Sequence, residues 1–201
     1  AGSKNAVNTL EFSKLPQPSY PVNEAFNTLS TNISFLGRDT KKLMLTSSHA
    51  SEGKSFTSLS LARKLAERGK RVVLVDTDLR RSMMVSTYGV KFPQDSKKYG
   101  LSHYLAGIAE QDEVLYKTNV AGMDFVPMGR ELLNPLPLLV SNRFQALLDR
   151  LAEAYDYVIV DAAPVGVVID AAEIAKYCDG ILLVVSYNQV HRQELIEAKA
   201  Q

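Results

Sequence analysis

The chain has 201 residues, enough for one domain with a sizeable core, and 46% hydrophobic with 22% charged residues is the balance of a globular protein. A net charge of +1 speaks against a bulk nucleic-acid binder, so no nucleic-acid partner is expected. The single cysteine, Cys178, excludes a disulfide framework and a four-thiolate metal site and points to a reducing cytoplasm. There is no signal peptide and no apolar run of about eighteen residues, so membrane contact is expected only through a partner or a lost segment.

In chain order, Ala1-Gly2-Ser3 reads as a cloning scar, and residues up to 19, polar with Pro16 and Pro18, read as an extended N-terminal arm. Residues 21–36 place Val22, Phe26, Leu29, Ile33 and Leu36 three and four apart, which predicts an amphipathic helix closed by Gly37. Strand–helix alternation begins there. Apolar runs at 43–46 (LMLT), 72–75 (VVLV), 125–126, 157–160 (YVIV) and 181–185 (ILLVV) predict five strands. Helices are expected at 54–68, closed by Gly69, at about 138–154 and around 171–177. Short helices are expected near Leu101–Leu105 and Asp112–Leu115 within an otherwise irregular stretch, 83–121. Continuous rather than alternating apolar runs are those of strands buried on both faces. The expected fold is therefore α/β: one doubly wound, mostly parallel sheet flanked by helices, over residues 20–201. A last helix at about 190–199 ends the chain where such a fold would return into another strand, so a C-terminal strand is expected to be missing.

Three strand ends carry chemistry. The stretch Ser48-His49-Ala50-Ser51-Glu52-Gly53-Lys54-Ser55 follows an apolar strand and opens a helix, the context in which G-K-S means a phosphate loop. Position 48, where the usual first glycine falls, is serine. Backbone N–H groups of such a loop point at phosphate oxygens, Gly53 allows close approach, Lys54 reaches the terminal phosphates, and the Ser55 hydroxyl ligates Mg²⁺. Ser51, Glu52, Gly53, Lys54, Ser55 and Phe56 are the candidate nucleotide-binding residues. The alternative is a plain turn before a surface helix. The second end, VVLVDTDLRRS, delivers Asp76 and Asp78 on one side of an extended chain, at the edge where open α/β sheets bind ligands. Two nearby carboxylates call for a cation between them. The alternative is two solvated aspartates paired with Arg80 or Arg81. The third end, VIVDAAP, brings Asp161 after four apolar residues in the form of a Walker B strand, against the alternative of a simple strand-end turn. Together they predict ATP or GTP bound with Mg²⁺, with Ser55, Asp76 and Asp161 as the metal set. His49, His103 and His191 have no ligand spacing, and Cys178 reads as a packing residue.

The three motifs together resemble the bacterial tyrosine kinases of capsule and exopolysaccharide synthesis, with the Gram-positive cytoplasmic subunit the nearest form. The matching elements are S-x-x-x-E-G-K-S at Ser48–Ser55, V-D-x-D-x-R at Val75–Arg80, Asp161–Ala172, and G-x-x-x-x-N-P-x-x-L-L at Gly129–Leu139. The resemblance spans about residues 20–199. It implies a P-loop kinase domain with ATP and Mg²⁺ as cofactors, transferring the γ-phosphoryl group to tyrosine, with Lys54, Asp76 and Asp78 as catalytic residues. Either Asp78 or Asp76 would accept the tyrosine proton. It further implies a transmembrane adaptor acting through its cytoplasmic tail, a cognate phosphotyrosine phosphatase, and a location at the inner face of the membrane. Arg80 and Arg81 are open between service at the site and a surface ion pair.

Two departures follow. The family's E-x-x-R-x-x-R in the first helix keeps Glu24, but Asn27 and Ser30 replace the arginines, so a stable ring is not expected. The tyrosine-rich tail, the family's own acceptor in trans, is expected to be missing here, since the last tyrosine is Tyr187. Tyr88, Tyr99, Tyr104 and Tyr116 are candidate surface tyrosines and minor acceptors, most of them expected to pack or lie idle. The rival reading is a nucleotide-switch ATPase of the septum-placement or partitioning type. Those proteins carry a second lysine five residues before the loop lysine, where this chain has His49.

Overall fold

The computed structural model describes residues 8–165 and 169–186. The arm contributes the first strand, β1 (Thr9–Phe12), and helix α1 (Tyr20–Ser34) follows. Then come β2 (Lys42–Ser47), α2 (Lys54–Glu67), β3 (Val72–Asp76), α3 (Met84–Thr87), β4 (Val90–Lys91), α4 (Leu101–Leu105), α5 (Gln111–Val114) and β5 (Tyr116–Thr118). The chain continues through β6 (Met123–Val126), α6 (Leu136–Leu139), α7 (Asn142–Ala154), β7 (Tyr157–Asp161), α8 (Asp170–Ala175) and β8 (Gly180–Val184). The expected helix at 190–199 lies outside the described residues.

The sheet order is β4-β1-β5-β6-β3-β7-β2-β8. The five apolar runs are the five contiguous parallel strands β6-β3-β7-β2-β8, as the continuous pattern requires. Alternate residues of each run enter two separate cores. Leu43, Leu45, Val72, Leu74 and Ile159 pack with Phe26, Leu59, Leu61 and Leu65 from α1 and α2. Met44, Val73, Val75, Val158 and Val160 pack with Phe144, Leu147, Leu148 and Leu151 of α7 and with Ile174 of α8. Each of those fully buried side chains contributes about 1.5–3 kcal/mol relative to exposure.

The arm is extended, as expected, but it is also part of the sheet. β1 pairs parallel with β5 and antiparallel with β4, so the sheet begins before residue 20. Leu10 and Phe12 are buried while Thr9 and Glu11 are exposed, the alternation of a strand with one wet face. The expected helix at 138–154 is two elements. The Ser141 side chain accepts the Phe144 N–H and starts α7 afresh, leaving α6 as a separate turn over Pro135. Gly129 opens the G-x-x-x-x-N-P segment at φ +85°. A Cβ there would lie 2.7 Å from both the Ser102 hydroxyl and the His103 ring, so α4 can approach only glycine.

Candidate active site

The chain passes from β2 through α2 to β3, while β7 inserts between those two strands. This is the arrangement that opens a crevice at the carboxyl ends of parallel strands. The phosphate-loop segment, Asp161 and Asp76 therefore meet at one edge. Asp76 and Asp161 are register partners on adjacent strands, and both are buried.

The loop curls because Ser51 (φ +66°) and Gly53 (φ +80°) both sit in the left-handed region. Gly53 then forms the N-cap of α2, whose first turn leaves backbone N–H groups without intrahelical acceptors. Glu52 holds this shape. Its carboxylate accepts from the Ser48 hydroxyl and the His49 N–H, each at 2.9 Å, and from the Ser186 N–H at 3.3 Å. Burial pushes the Glu52 carboxyl up, but those hydrogen bonds outweigh it and hold it below its ordinary value. Ser48 is thus the donor to an internal carboxylate. A glycine there would leave Glu52 one bond short. The side chain of Glu52 serves the loop rather than facing a phosphate, and the ring of Phe56 packs against Phe26 of α1 at 6.1 Å. Of the six expected nucleotide-binding residues, Lys54 and Ser55 are the two whose side chains converge on Asp161.

Lys54 Nζ donates to Asp161 Oδ1 at 2.8 Å, and the Ser55 hydroxyl donates to Oδ2 at 2.9 Å. Ser58, one turn further along α2, donates to Oδ1 at 2.7 Å. The Asp161 main-chain carbonyl accepts both the N–H and the hydroxyl of Thr77. Asp76 is fully buried and accepts from the Ser82 hydroxyl and from the Asp78 N–H. Burial first, then the Asp161 charge beside it, push the Asp76 carboxyl up to about 8. Asp78 is half-buried and is also raised, chiefly by burial. It accepts the Arg81 N–H at 3.2 Å.

The open question over Arg80 and Arg81 separates cleanly. The Arg80 guanidinium grips the buried Asp170 with two hydrogen bonds, at 2.6 and 3.1 Å, and donates to the Leu133 carbonyl at 2.9 Å. The Leu132 N–H donates to the Leu79 carbonyl at 2.8 Å. The turn bearing Asp78 is thereby tied both to the G-x-x-x-x-N-P segment and to the first turn of α8. Arg81 is exposed. Sequence reasoning missed Ser58, Ser82 and Asp170. Helical spacing from Lys54 pointed to Ser58, whereas nothing local pointed to a partner of Arg80 ninety residues away.

Of the four tyrosines weighed as minor acceptors, three pack as expected and are not on the surface: Tyr88, Tyr104 and Tyr116 are buried, while Tyr99 is half-buried against His103. Among the described residues, no group of three or more His, Cys, Asp or Glu is placed to hold a metal, and no helix is long and apolar enough to cross a membrane.

A family model described as an AAA domain matches residues 40–194. The chain is 39% identical over 178 residues to the tyrosine-protein kinase CpsD of Streptococcus agalactiae, covering 89% of this chain and 75% of that one. The chain belongs to the bacterial tyrosine kinases. Its fold matches the kinase domain of the Escherichia coli tyrosine kinase ETK with a TM-score of 0.82 at 31% identity, over 89% of this chain and 69% of that one. The septum site-determining protein MinD of Pyrococcus horikoshii, complexed with Mg-ADP, matches with a TM-score of 0.58 at 20% identity over 72% of this chain and 57% of that one, a likeness of fold alone. The kinase reading therefore holds over the switch reading, and the chain is a tyrosine kinase of the P-loop type.

Proposed function

We propose that the chain transfers the γ-phosphoryl group of ATP to protein tyrosine in a system that regulates capsular or exopolysaccharide synthesis and export. The observation that carries this reading is the convergence of Lys54, Ser55, Asp161 and Asp76 on one sheet edge, with Asp78 beside them. Loop N–H groups and the start of α2 receive the phosphates, and Lys54 neutralises charge on the transferred group. The acceptor phenol oxygen attacks the γ-phosphorus, the bond to the bridging oxygen breaks, and ADP leaves. Asp78 takes the phenol proton. It is the half-buried member of the pair, whereas both Asp76 oxygens are held inside.

The donor set fits Mg²⁺. Two buried carboxylates stand in register, and one of them already bonds Lys54 and the Ser55 hydroxyl, which suits a cation that takes one or two protein carboxylates and fills its shell with water and phosphate. Ser55, Asp76 and Asp161 would hold it. When bound, it supplies positive charge between the carboxylates and the phosphates.

By kinship with the family, a transmembrane adaptor would hold the chain at the inner membrane face and raise its activity through its cytoplasmic tail. A phosphotyrosine phosphatase would reverse the reaction. The test supplies Mg·ATP and a tyrosine-rich peptide, with and without Lys54→Met. Phosphotyrosine that needs Lys54 supports the reading, while inorganic phosphate alone overturns it in favour of a nucleotide switch. Without an adaptor segment, activity is expected to be weak.

A further inference from the structure

A tyrosine kinase that modifies itself needs a phenol that another molecule's site can reach, and the fold restricts which one that is. The chain has nine tyrosines, and Tyr187 lies outside the described residues. Tyr88, Tyr104, Tyr116 and Tyr157 are buried. Tyr99 packs on His103, Tyr155 donates its hydroxyl to Asp124, and Tyr177 packs edge-on against Phe144. Tyr20 alone among the described tyrosines stands out, 78% exposed. We infer that Tyr20 is a phosphorylation site, modified by a second copy of this chain. The inference rests on the kinase reading above.

Position favours the reaction and its product. Tyr20 is the first residue of α1, where Ser19 makes no side-chain capping bond and Pro21 has no N–H to lose. An uncapped first turn frays at little cost, which lets the phenol extend into a cleft. The first turn of α1 carries no acidic residue, so the phosphate dianion would be the first negative charge at the positive end of a 15-residue helix. Phosphorylation would tighten the turn that had to loosen to receive it.

The geometry points to transfer between copies. Arg63 holds the Pro16 carbonyl at 2.7 Å, and Pro18 and Asn23 share a small cavity with Arg63, Lys64 and Glu67. Arg63 is nine residues beyond Lys54 on α2, about 13 Å along a helix rising 1.5 Å per residue. The segment leading into Tyr20 is thus pinned to the far half of α2, away from the loop that heads it. In the reaction the Tyr20 oxygen of one copy forms the new bond to the γ-phosphorus. The bond to the bridging oxygen breaks, ADP leaves, and the proton passes to Asp78 of the other copy.

The experiment mixes wild-type chain and Mg·ATP with tagged Lys54→Met chain as acceptor, beside a tyrosine-rich peptide as control, and maps phosphotyrosine on the tagged chain by mass spectrometry. The expected result is phosphate on Tyr20, with the signal over residues 8–186 falling at least five-fold in a Lys54→Met, Tyr20→Phe acceptor while peptide phosphorylation stays unchanged. A modified peptide with unmodified Tyr20 overturns this inference and leaves the kinase standing. If neither is modified, both readings fall. Phosphate on Tyr20 in isolated wild-type chain that is independent of concentration, with none on the tagged acceptor, overturns transfer between copies.

Discussion

Two ends of the same sheet carry nearly the same ion pair. At the carboxyl edge, Lys54 meets Asp161 at 2.8 Å, and at the amino edge Lys117 meets Asp124 at 2.8 Å. Both aspartates are buried, and both accept a hydroxyl as well, from Ser55 and Ser58 in one case and from Tyr155 in the other. The difference lies in the company. Lys54 is 9% exposed and Asp161 has a second carboxylate, Asp76, in register, whereas Lys117 is 66% exposed and Asp124 stands without a carboxylate opposite, facing Val73 on β3. The amino-edge pair is complete. It raises the Tyr155 phenol well above its ordinary value through burial and the Asp124 bond, and it asks for nothing further. The carboxyl-edge cluster has more carboxyl groups than one lysine can hold ionised, and burial first, then neighbouring negative charge, pushes Asp76 and Asp78 up. An ion pair is evidence of function when it is left unbalanced, not when it is buried.

The largest expected effect separates the two lysines. Lys54→Met should lower kcat/KM for a tyrosine peptide by about 10²–10³-fold, the range for removing one charge-stabilising donor, while Lys117→Met should change it less than about two-fold. Comparable losses would erase the contrast. Next come the carboxylates, measured by urea unfolding without nucleotide or divalent cation. Asp124→Asn should destabilise by about 1–3 kcal/mol, because a neutral amide replaces the buried carboxylate whose Oδ2 accepts from both Lys117 and Tyr155. Asp76→Asn should leave stability equal or higher, by up to about 2 kcal/mol, through relief first of the cost of burying a carboxyl group and then of its like-charge neighbour Asp161, while peptide phosphorylation collapses. A clear loss of stability in Asp76→Asn would show the cluster to be structural after all. The smallest effect is at the amino edge. The Arg71 backbone N–H, ahead of opposing burial, holds the Asp156 carboxyl below its ordinary value. A lowered carboxylate contributes stability above its unfolded value and loses it as pH falls through the folded one. Asp156→Asn should therefore flatten the acid limb of the stability curve by a few tenths of a kcal/mol at most, as for exposed pairs.

The parallel sheet and its ligand edge were legible because both rest on local pattern. Runs such as VVLV and YVIV have no wet face, and each ends in aspartate. The edge strands β1, β4 and β5 were not legible, being two to four residues long and lying in stretches with turn-like or polar composition. Lys54, Ser55, Asp76 and Asp161 were legible as a set. The partners that hold them were not, since Ser58 and Ser82 look like ordinary polar residues and Arg80 finds Asp170 only through the fold. The tyrosines were legible only as a group. A phenol tolerates water or burial equally well in a sequence, so packing alone decides that Tyr104 and Tyr116 are buried while Tyr20 is exposed.

The strand that ends in Asp161 is gripped from four directions. It is hydrogen-bonded to β2 on one side and β3 on the other, with a separate core against each face. Such a strand cannot tilt or slide without disturbing both halves of the domain, so its terminal carboxylate behaves as a fixed post. Lys54, Ser55 and Ser58 all bond that post, and Lys54 reaches it on four methylenes. Under the proposed function Lys54 would be the group that swings from this carboxylate to a phosphate, over a foundation that stays where folding put it.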